Sequence, residues 1–325
     1  MKEFDPKDFL NEYKRLRKES RIKECIHPNK HECSEKIISA HSIQNNKILK
    51  TISDNGKVYM PCPKNDCIFP IQKEYGRKEA TVFTGFCGYH DKTVFQPIED
   101  KSFIGSAEQV FLYIYRAFAI EYHKKKEAVR MQQLQNGKYP LNEFLNEMAN
   151  SFMMAVDDFE EEKMIFDKAL INHDYSVLTS IIWVFNGFSN FAASGCEGPD
   201  LDFEGNRIQN LADTETPIRH IYISAFPEEN KTYVIIAWLK QYDNIFKSIQ
   251  SKLLSLTEEE KRNYVNTTLP FISENIAIKP SSWDKMSDSA KEEFSMIFYG
   301  MPELMEMEGI KFDRFEQTQY DLFSL

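Results

Sequence analysis

The apolar positions follow two different rhythms along the chain. Up to about residue 100 they form short runs separated by turn residues, such as KIISAHSI, KVYMP and ATVFTGF, which is typical of short strands. From Ser106 onwards the run VFLYIYRAFAIEY is apolar on nearly every face, behind a capping-box pattern of Ser106 and Gln109. An all-round apolar helix belongs in a core. We therefore predict two domains, an N-terminal helix plus a compact module over residues 1–104 and a larger domain over residues 105–325.

The second domain is predicted to be mainly helical. A second long helical pattern, LNEFLNEMANSFMMAVDDFEEEKMIFDKAL, follows the first after a short link, which indicates an antiparallel helical hairpin. Further on, IRHIYISAF and TYVIIAWLK flank the polar turn PEENK, which predicts a β-hairpin or small sheet in the C-terminal half. The acidic run at residues 157–162 is interpreted as a solvated helix face. The predicted fold class is α+β.

Charge is distributed unevenly between the two predicted domains. The formal net charge is -10, yet residues 1–100 carry 18 Lys and Arg against 15 Asp and Glu, a balance of +3, and the remainder carries 22 against 35, a balance of −13. A nucleic acid would therefore meet the N-terminal module first. DNA or RNA is the expected partner there, and a protein partner or a homo-oligomer is an alternative.

From its residues we expect neither a membrane span nor a targeting segment. No window of about 18 apolar residues exists, and the first 20 residues are charged and include acidic side chains. A cytoplasmic location is expected, where clustered cysteines are metal ligands more often than disulfides.

Thiol and imidazole groups are concentrated in the N-terminal third. Five of the 6 cysteines and four of the 7 histidines lie between residues 25 and 90. This is the ligand pair that zinc selects. The spacings form three groups, namely Cys25 with Cys33, Cys62 with Cys67, and Cys87 with His90.

The pair Cys87 and His90 is the sharpest of the three, because two residues separate the ligands and Gly88 relieves the turn. Two ligand sets complete a tetrahedron around it. Cys25 and Cys33 are preferred, and Cys62 and Cys67 offer a similar geometry over a shorter loop. Two further alternatives are a second zinc that includes His27 or His31, and buried cysteines without a metal. In each metal-bound case the zinc is structural.

His41 stands apart from these pairs, in the apolar run Ile37–Ile43. A lone histidine in such a run is either a structural residue or a catalytic one. The order of the groups favours the second interpretation, because it resembles HNH-type endonucleases built on a treble-clef zinc fold. In that family a zinc knuckle is followed by a β-hairpin whose first strand ends in a histidine, and a Cys-x-x-His or Cys-x-x-Cys pair opens a helix.

The resemblance covers roughly residues 25–100, and the first knuckle is longer than usual, with seven residues between its cysteines. It implies a small treble-clef-like module in which His41 is the general base that activates water. It also implies a catalytic Mg²⁺ or Mn²⁺ on oxygen ligands, for which Asp91 is the natural carboxylate and Glu99 a weaker candidate. The phrases HSIQ and GFCGYHD also resemble segments of bacterial proteins.

Two functions are therefore expected. The first is a metal-dependent HNH-type nuclease, a hydrolase of phosphodiester bonds with a structural zinc. The second is a non-catalytic zinc module on a helical scaffold that binds protein or nucleic acid. The residues alone leave it open whether the chain is an enzyme.

Overall fold

The fold comes from a computed structural model, which describes residues 6–34, 36–61, 72–138, 143–211, 213–300, 305 and 312–325. The helices within these ranges are α1 (Pro6–Glu19), α2 (Gly88–Glu99), α3 (Ala107–Lys138), α4 (Glu143–Asn172), α5 (Lys247–Ser255), α6 (Glu258–Ile272), α7 (Pro280–Lys285) and α8 (Asp288–Phe298). The strands are β1 (Ile37–His41), β2 (Lys57–Pro61), β3 (Gln72–Gly76), β4 (Val82–Cys87), β5 (Leu178–Asn186), β6 (Phe191–Glu197), β7 (Ile221–Glu228), β8 (Lys231–Leu239) and β9 (Asn275–Ile278). The predicted α+β class is confirmed.

The central feature is a seven-stranded sheet in the order β3-β2-β9-β6-β7-β8-β5. All of its neighbouring strands are antiparallel. The predicted hairpin is its β7–β8 pair, which turns at Glu229 with a positive φ of 55°. The sheet is larger than the sequence indicated. Strands β6 and β9 are hard to recognise from the sequence, because β6 is rich in small residues and β9 has only four residues.

Helices cover both faces of this sheet. On one face α3 and α4 pack against β6 and β7, where Tyr222 meets Phe118 and Phe166 edge-on. On the other face Trp183 of β5 meets Tyr264 of α6 edge-on. The predicted long helix is indeed central, since α3 buries residues all round and contacts α1, α2, α4, β4 and the sheet.

The N-terminal part forms a smaller unit beside this sheet. β1 and β4 make a separate two-stranded antiparallel sheet in which His41 pairs with Val82 and Ile37 with Cys87. Helix α2 follows β4 directly, so the antiparallel β1–β4 pair and this helix meet at Cys87.

Strand pairing also links this part to the rest of the chain. Between β1 and β4, the strands β2 and β3 leave the small unit and extend the large sheet, where Tyr59 pairs with Ile278 of β9. The division at residues 104/105 stays a prediction, and one sheet runs across it.

Candidate metal centre

The imidazole of His90 lies at the meeting point of three thiols. Its Nδ1 is 3.4 Å from Cys25 Sγ, 3.6 Å from Cys33 Sγ and 3.3 Å from Cys87 Sγ. The four ligand atoms all lie within 4.8 Å of one another. A cluster of this kind could hold one metal ion.

The separations fit a tetrahedral zinc ion. With Zn–S of about 2.3 Å and Zn–N of about 2.0–2.1 Å, tetrahedral angles place sulfur and nitrogen about 3.6 Å apart. The separations from His90 Nδ1 to the three thiols are close to that value. Because four protein ligands would fill a tetrahedron, an ion held by all four would have no open position for a substrate.

Cys87 and His90 are positioned by the junction between β4 and α2. Cys87 ends the strand in an extended conformation and caps the helix, and its Sγ accepts a hydrogen bond from the His90 backbone N–H at 3.5 Å. The backbone N–H of Gly88 donates to the carbonyl of Lys36 at 3.2 Å, which holds the turn against the start of β1. The two-residue spacing thus directs both side chains to one point.

Cys25 and Cys33 are brought there by a loop that runs alongside β4 and is hydrogen-bonded to it. The Ile26 N–H donates to the carbonyl of Gly85 at 2.7 Å, and a single turn of 3₁₀ helix over Lys30–Glu32 returns the chain towards Cys33. A Cβ on Gly85 would lie 2.5 Å from Phe83 Cε2 and 2.9 Å from Ile26 Cδ1, so a larger residue there would force these two side chains to move. The seven intervening residues are therefore accommodated as one compact turn.

The site is largely closed to solvent. Cys25, Cys87 and His90 are 3%, 0% and 1% exposed, whereas Cys33 is only half-buried. Burial raises the pKa of the Cys25 thiol to about 12. At Cys87 burial acts in the same direction, but hydrogen bonds from the His90 backbone and from Ser34 outweigh it and lower the pKa to about 7. Cys87 is thus the thiol that most readily provides a thiolate ligand.

The second ring nitrogen of His90 faces a carboxylate. His90 Nε2 is buried without a hydrogen-bond partner among the described residues, and Glu32 Oε2 lies 3.9 Å away. A carboxylate behind a metal-binding imidazole orients the ring and raises its basicity. Glu32 was not identified from the sequence, although its place beside Cys33 was a signal.

The histidines considered for a second zinc lie outside the cluster. The ring of His27 stacks on that of His90 at 3.7 Å, and its Nδ1 accepts the backbone N–H of Asn29. His31 is exposed in the 3₁₀ turn. Within the described ranges, Cys25, Cys33, Cys87 and His90 are the one group of thiol, imidazole and carboxylate side chains close enough together to hold a metal ion. Cys62 and Cys67, the alternative pair, lie outside the described residues.

His41 lies at the end of β1, as expected for the strand-borne histidine. Its side chain is half-buried, and Nδ1 is 3.3 Å from the Thr81 hydroxyl. Burial lowers the pKa of His41 to about 4, and the charges of Arg116 and Arg77 act in the same direction. The imidazole is therefore neutral at physiological pH.

Asp91 follows His90 in the first turn of α2. Its Oδ1 is buried, with no hydrogen-bond partner among the residues described. Burial raises the pKa of this carboxyl, and the nearby Arg116 charge opposes that effect. A buried carboxylate oxygen without a protein partner is a position at which a water molecule or a cation can bind.

Arg116 is a residue that the sequence did not mark as functional. It is buried at 2% exposure on α3, its Nη2 donates to Glu99 Oε1 at 2.6 Å, and its guanidinium lies 4.0 Å from the centre of the Phe95 ring. Its positive charge acts to lower the pKa of both His41 and Asp91. The sequence feature that could have drawn attention to Arg116 is its position as the single arginine in the apolar run VFLYIYRAFAIEY.

Comparisons with known proteins identify no relative. No protein-family model, curated protein or solved structure matches the chain. Along the part of the chain that the structure describes, no helix is both long and apolar enough to cross a bilayer.

Proposed function

We propose that the N-terminal module is a zinc-stabilised nuclease of HNH type, which hydrolyses phosphodiester bonds of DNA or RNA. The observation that supports it is the placement of five groups in the family's order. Cys25 and Cys33 form the knuckle, His41 ends β1, and Cys87 and His90 open α2.

Zinc is the structural element of this proposal. Its donors are three sulfurs and one nitrogen from the knuckle and from the β4–α2 junction, so binding would fix these segments relative to each other. We expect about one zinc ion per chain, measured by elemental analysis of protein prepared in zinc-containing medium. Cys33→Ser should lose most of the metal, and Cys196→Ser, at the other free cysteine of the described residues, should retain it.

In the proposed hydrolysis His41 and Asp91 have separate roles. Neutral His41 accepts a proton from the attacking water, and the free oxygen of Asp91 offers a ligand to a magnesium or manganese ion. Such an ion, when bound, neutralises charge that develops on the phosphate oxygens. The mildly basic balance of residues 1–100 favours approach of a polyanion from this side.

The test is cleavage of labelled single- and double-stranded DNA and RNA with Mg²⁺ or Mn²⁺. His41→Ala should reduce the rate by about a hundredfold or more, as loss of a general base does. His173→Ala, at an exposed histidine that contacts Tyr175, is the matched control and should cleave normally. Equal cleavage by His41→Ala and wild type, at equal zinc content, would exclude the assignment.

A second candidate is a non-catalytic zinc module that binds protein or nucleic acid. The observation that favours it is the pairing of Glu99 with buried Arg116, because this engages one of the two carboxylates expected to serve a catalytic ion. It predicts one bound zinc and no turnover with any of the four substrates. Free thiols in the described part of the chain suit a reducing compartment, so we propose a cytoplasmic location for either function.

A further inference from the structure

The outer face of helix α1 carries a stripe of basic side chains. At 3.6 residues per turn, Lys7, Lys14 and Lys18 project within about 40° of one another, on the side opposite Leu16. All three are exposed, whereas Leu16 is 3% exposed and α1 packs against α3. Arg21 is exposed two residues beyond the end of the helix. These four cations, Lys7, Lys14, Lys18 and Arg21, form the α1 stripe.

Most of the positive charge of the α1 stripe is not neutralised within the protein. Among the described residues, no ion pair or hydrogen bond engages the side chains of its last three members. Two acidic side chains of α1 lie on the flank of the helix and are bound by a different cation, because Arg15 contacts both Glu12 and Glu19 at 2.8 Å. The α1 stripe can therefore bind an anion from outside the protein.

The chain that follows α1 fixes the stripe beside the zinc cluster. The Glu24 N–H donates to the carbonyl of Thr84 in β4 at 3.2 Å. Nη1 of Arg130 in α3 donates to the Arg21 carbonyl at 3.4 Å, which brings another exposed cation to the end of the stripe. Arg21 is four residues from Cys25, so their Cα atoms are at most about 14 Å apart. A molecule bound along the stripe would thus lie next to the N-terminal module.

We propose that the α1 stripe binds the phosphate backbone of a nucleic acid and presents it to the N-terminal module, an inference that rests on the proposed nuclease function. Ammonium and guanidinium groups neutralise backbone phosphates and release their counterions, so such contacts do not depend on base sequence. At 0.1 M salt, exposed charges more than about 10 Å apart are largely screened. The stripe therefore acts locally, although the whole chain has a formal net charge of -10.

The packing of α1 favours a nucleic acid over an acidic membrane. A basic helix that binds a bilayer surface buries an apolar face among the lipids. The apolar side of α1 is already packed within the protein, since Leu16 is 3% exposed and both Leu10 and Tyr13 are half-buried. What α1 presents to solvent is a row of cations, which matches a partner that is recognised through its negative charge alone.

The test is fluorescence anisotropy with a labelled single-stranded DNA, the RNA of the same sequence and the DNA duplex. Every protein is full-length and carries His41→Ala, so that cleavage does not consume the probe. Lys14→Gln combined with Lys18→Gln should bind about tenfold more weakly at 0.1 M salt. The slope of log K against log salt concentration should become less negative by about 1.4 for single strands and about 1.8 for the duplex. Lys240→Gln combined with Lys247→Gln is the matched control, since both lysines are exposed and have no carboxylate partner in the described part of the chain, and it should bind like the parent protein.

The outcomes separate binding by the α1 stripe from the chemistry of the module. Weaker binding by the Lys14 and Lys18 variant alone would support the interface, even if the protein with His41 intact cleaved none of the probes. Equal binding by parent, variant and control with the same salt dependence, or no binding by the parent, would overturn it, whether or not the protein is a nuclease. Binding of phosphatidylserine vesicles but of none of the three probes would also overturn it, because the stripe would then face a membrane.

Discussion

His41 is an imidazole that the fold keeps in its neutral form. Its ring is half-buried, and the charges of Arg77 and Arg116 add to the effect of burial. The pKa of about 4 in the folded chain lies below the usual value of 6.5. As the pH falls from 6.5 to 4, the unfolded chain takes up a proton that the folded chain does not accept, so this residue favours unfolding progressively over that interval.

This loss of stability can be measured by comparing wild type with His41→Gln. Between pH 7 and pH 5 the free energy of unfolding of wild type should fall by about 2 kcal/mol more than that of His41→Gln. Urea unfolding at both pH values gives the comparison, and because both proteins carry the same zinc ligands, acid release of metal affects them equally. His173→Gln, at an exposed histidine, serves as the control and should follow wild type. A parallel fall in wild type and His41→Gln would show that burial does not suppress protonation of His41.

At this scale the sequence predicted the local pairs and preferred Cys25 and Cys33 as the partners of Cys87 and His90, but it left Cys62 and Cys67 as an alternative. The spacing of Cys87 and His90 follows from a strand end and a helix start, which are local features. The choice of Cys25 and Cys33 as the adjoining thiols depends on a loop packed across β4, which the spacing alone could not decide. The electrostatic role of Arg116 likewise depends on α3 passing beside α2.

At the scale of single elements, the acidic run of α4 serves a different purpose from the solvated face that we predicted. Asp158 Oδ1 accepts the backbone N–H of Ile218 at 3.0 Å, and Glu161 pairs with Arg219 at 2.7 Å. Glu162 is fully buried and accepts both the His220 N–H and the Tyr222 hydroxyl. The prediction is wrong for Glu162, because charge density along a helix does not reveal which backbone donors a neighbouring strand presents.

We expect Glu162→Ala to lower the free energy of unfolding by about 2–4 kcal/mol. Its removal leaves the His220 N–H and the Tyr222 hydroxyl buried without an acceptor. Asp157→Ala is the matched control, because this carboxylate is exposed on the same helix, and its effect should stay within about 0.5 kcal/mol. Equal effects of the two variants in urea titrations would mean that the run is a solvated face after all.

Other elements show which sequence patterns are sufficient to predict an element. The β7–β8 hairpin and the cap of Ser106, whose Oγ accepts the Gln109 backbone N–H, were both predicted and are present, because each depends on residues close in sequence. Strand β9 was missed, since its four residues become a strand only between β2 and β6. Short strands in the middle of a sheet are defined by their neighbours rather than by their own sequence.

At the scale of the whole molecule, the N-terminal third and the remainder pack directly against each other. Ser42 donates to Asn275 Oδ1 at 3.0 Å, and the ring of Tyr59 stacks on Trp283 at 5.7 Å. Tyr115 of α3 is 0% exposed and packs against Phe86 and Phe95 of the module. The domain boundary predicted at residues 104/105 therefore lies where the two parts of the chain are buried against each other.

We expect the fragment of residues 105–325 to be much less stable than the full chain. Without β2 the edge of β9 is unpaired, and without α2 the buried side chains of Tyr115 and Arg116 meet solvent. Its midpoint of thermal unfolding, measured by circular dichroism, should lie about 10 °C or more below that of the intact protein. A zinc chelator should lower the midpoint of the full chain and leave the fragment unchanged, because all four residues of the cluster precede residue 105. If the fragment unfolds at the temperature of the intact protein, residues 1–104 and 105–325 are independent domains, and the continuous sheet contributes little to cooperativity.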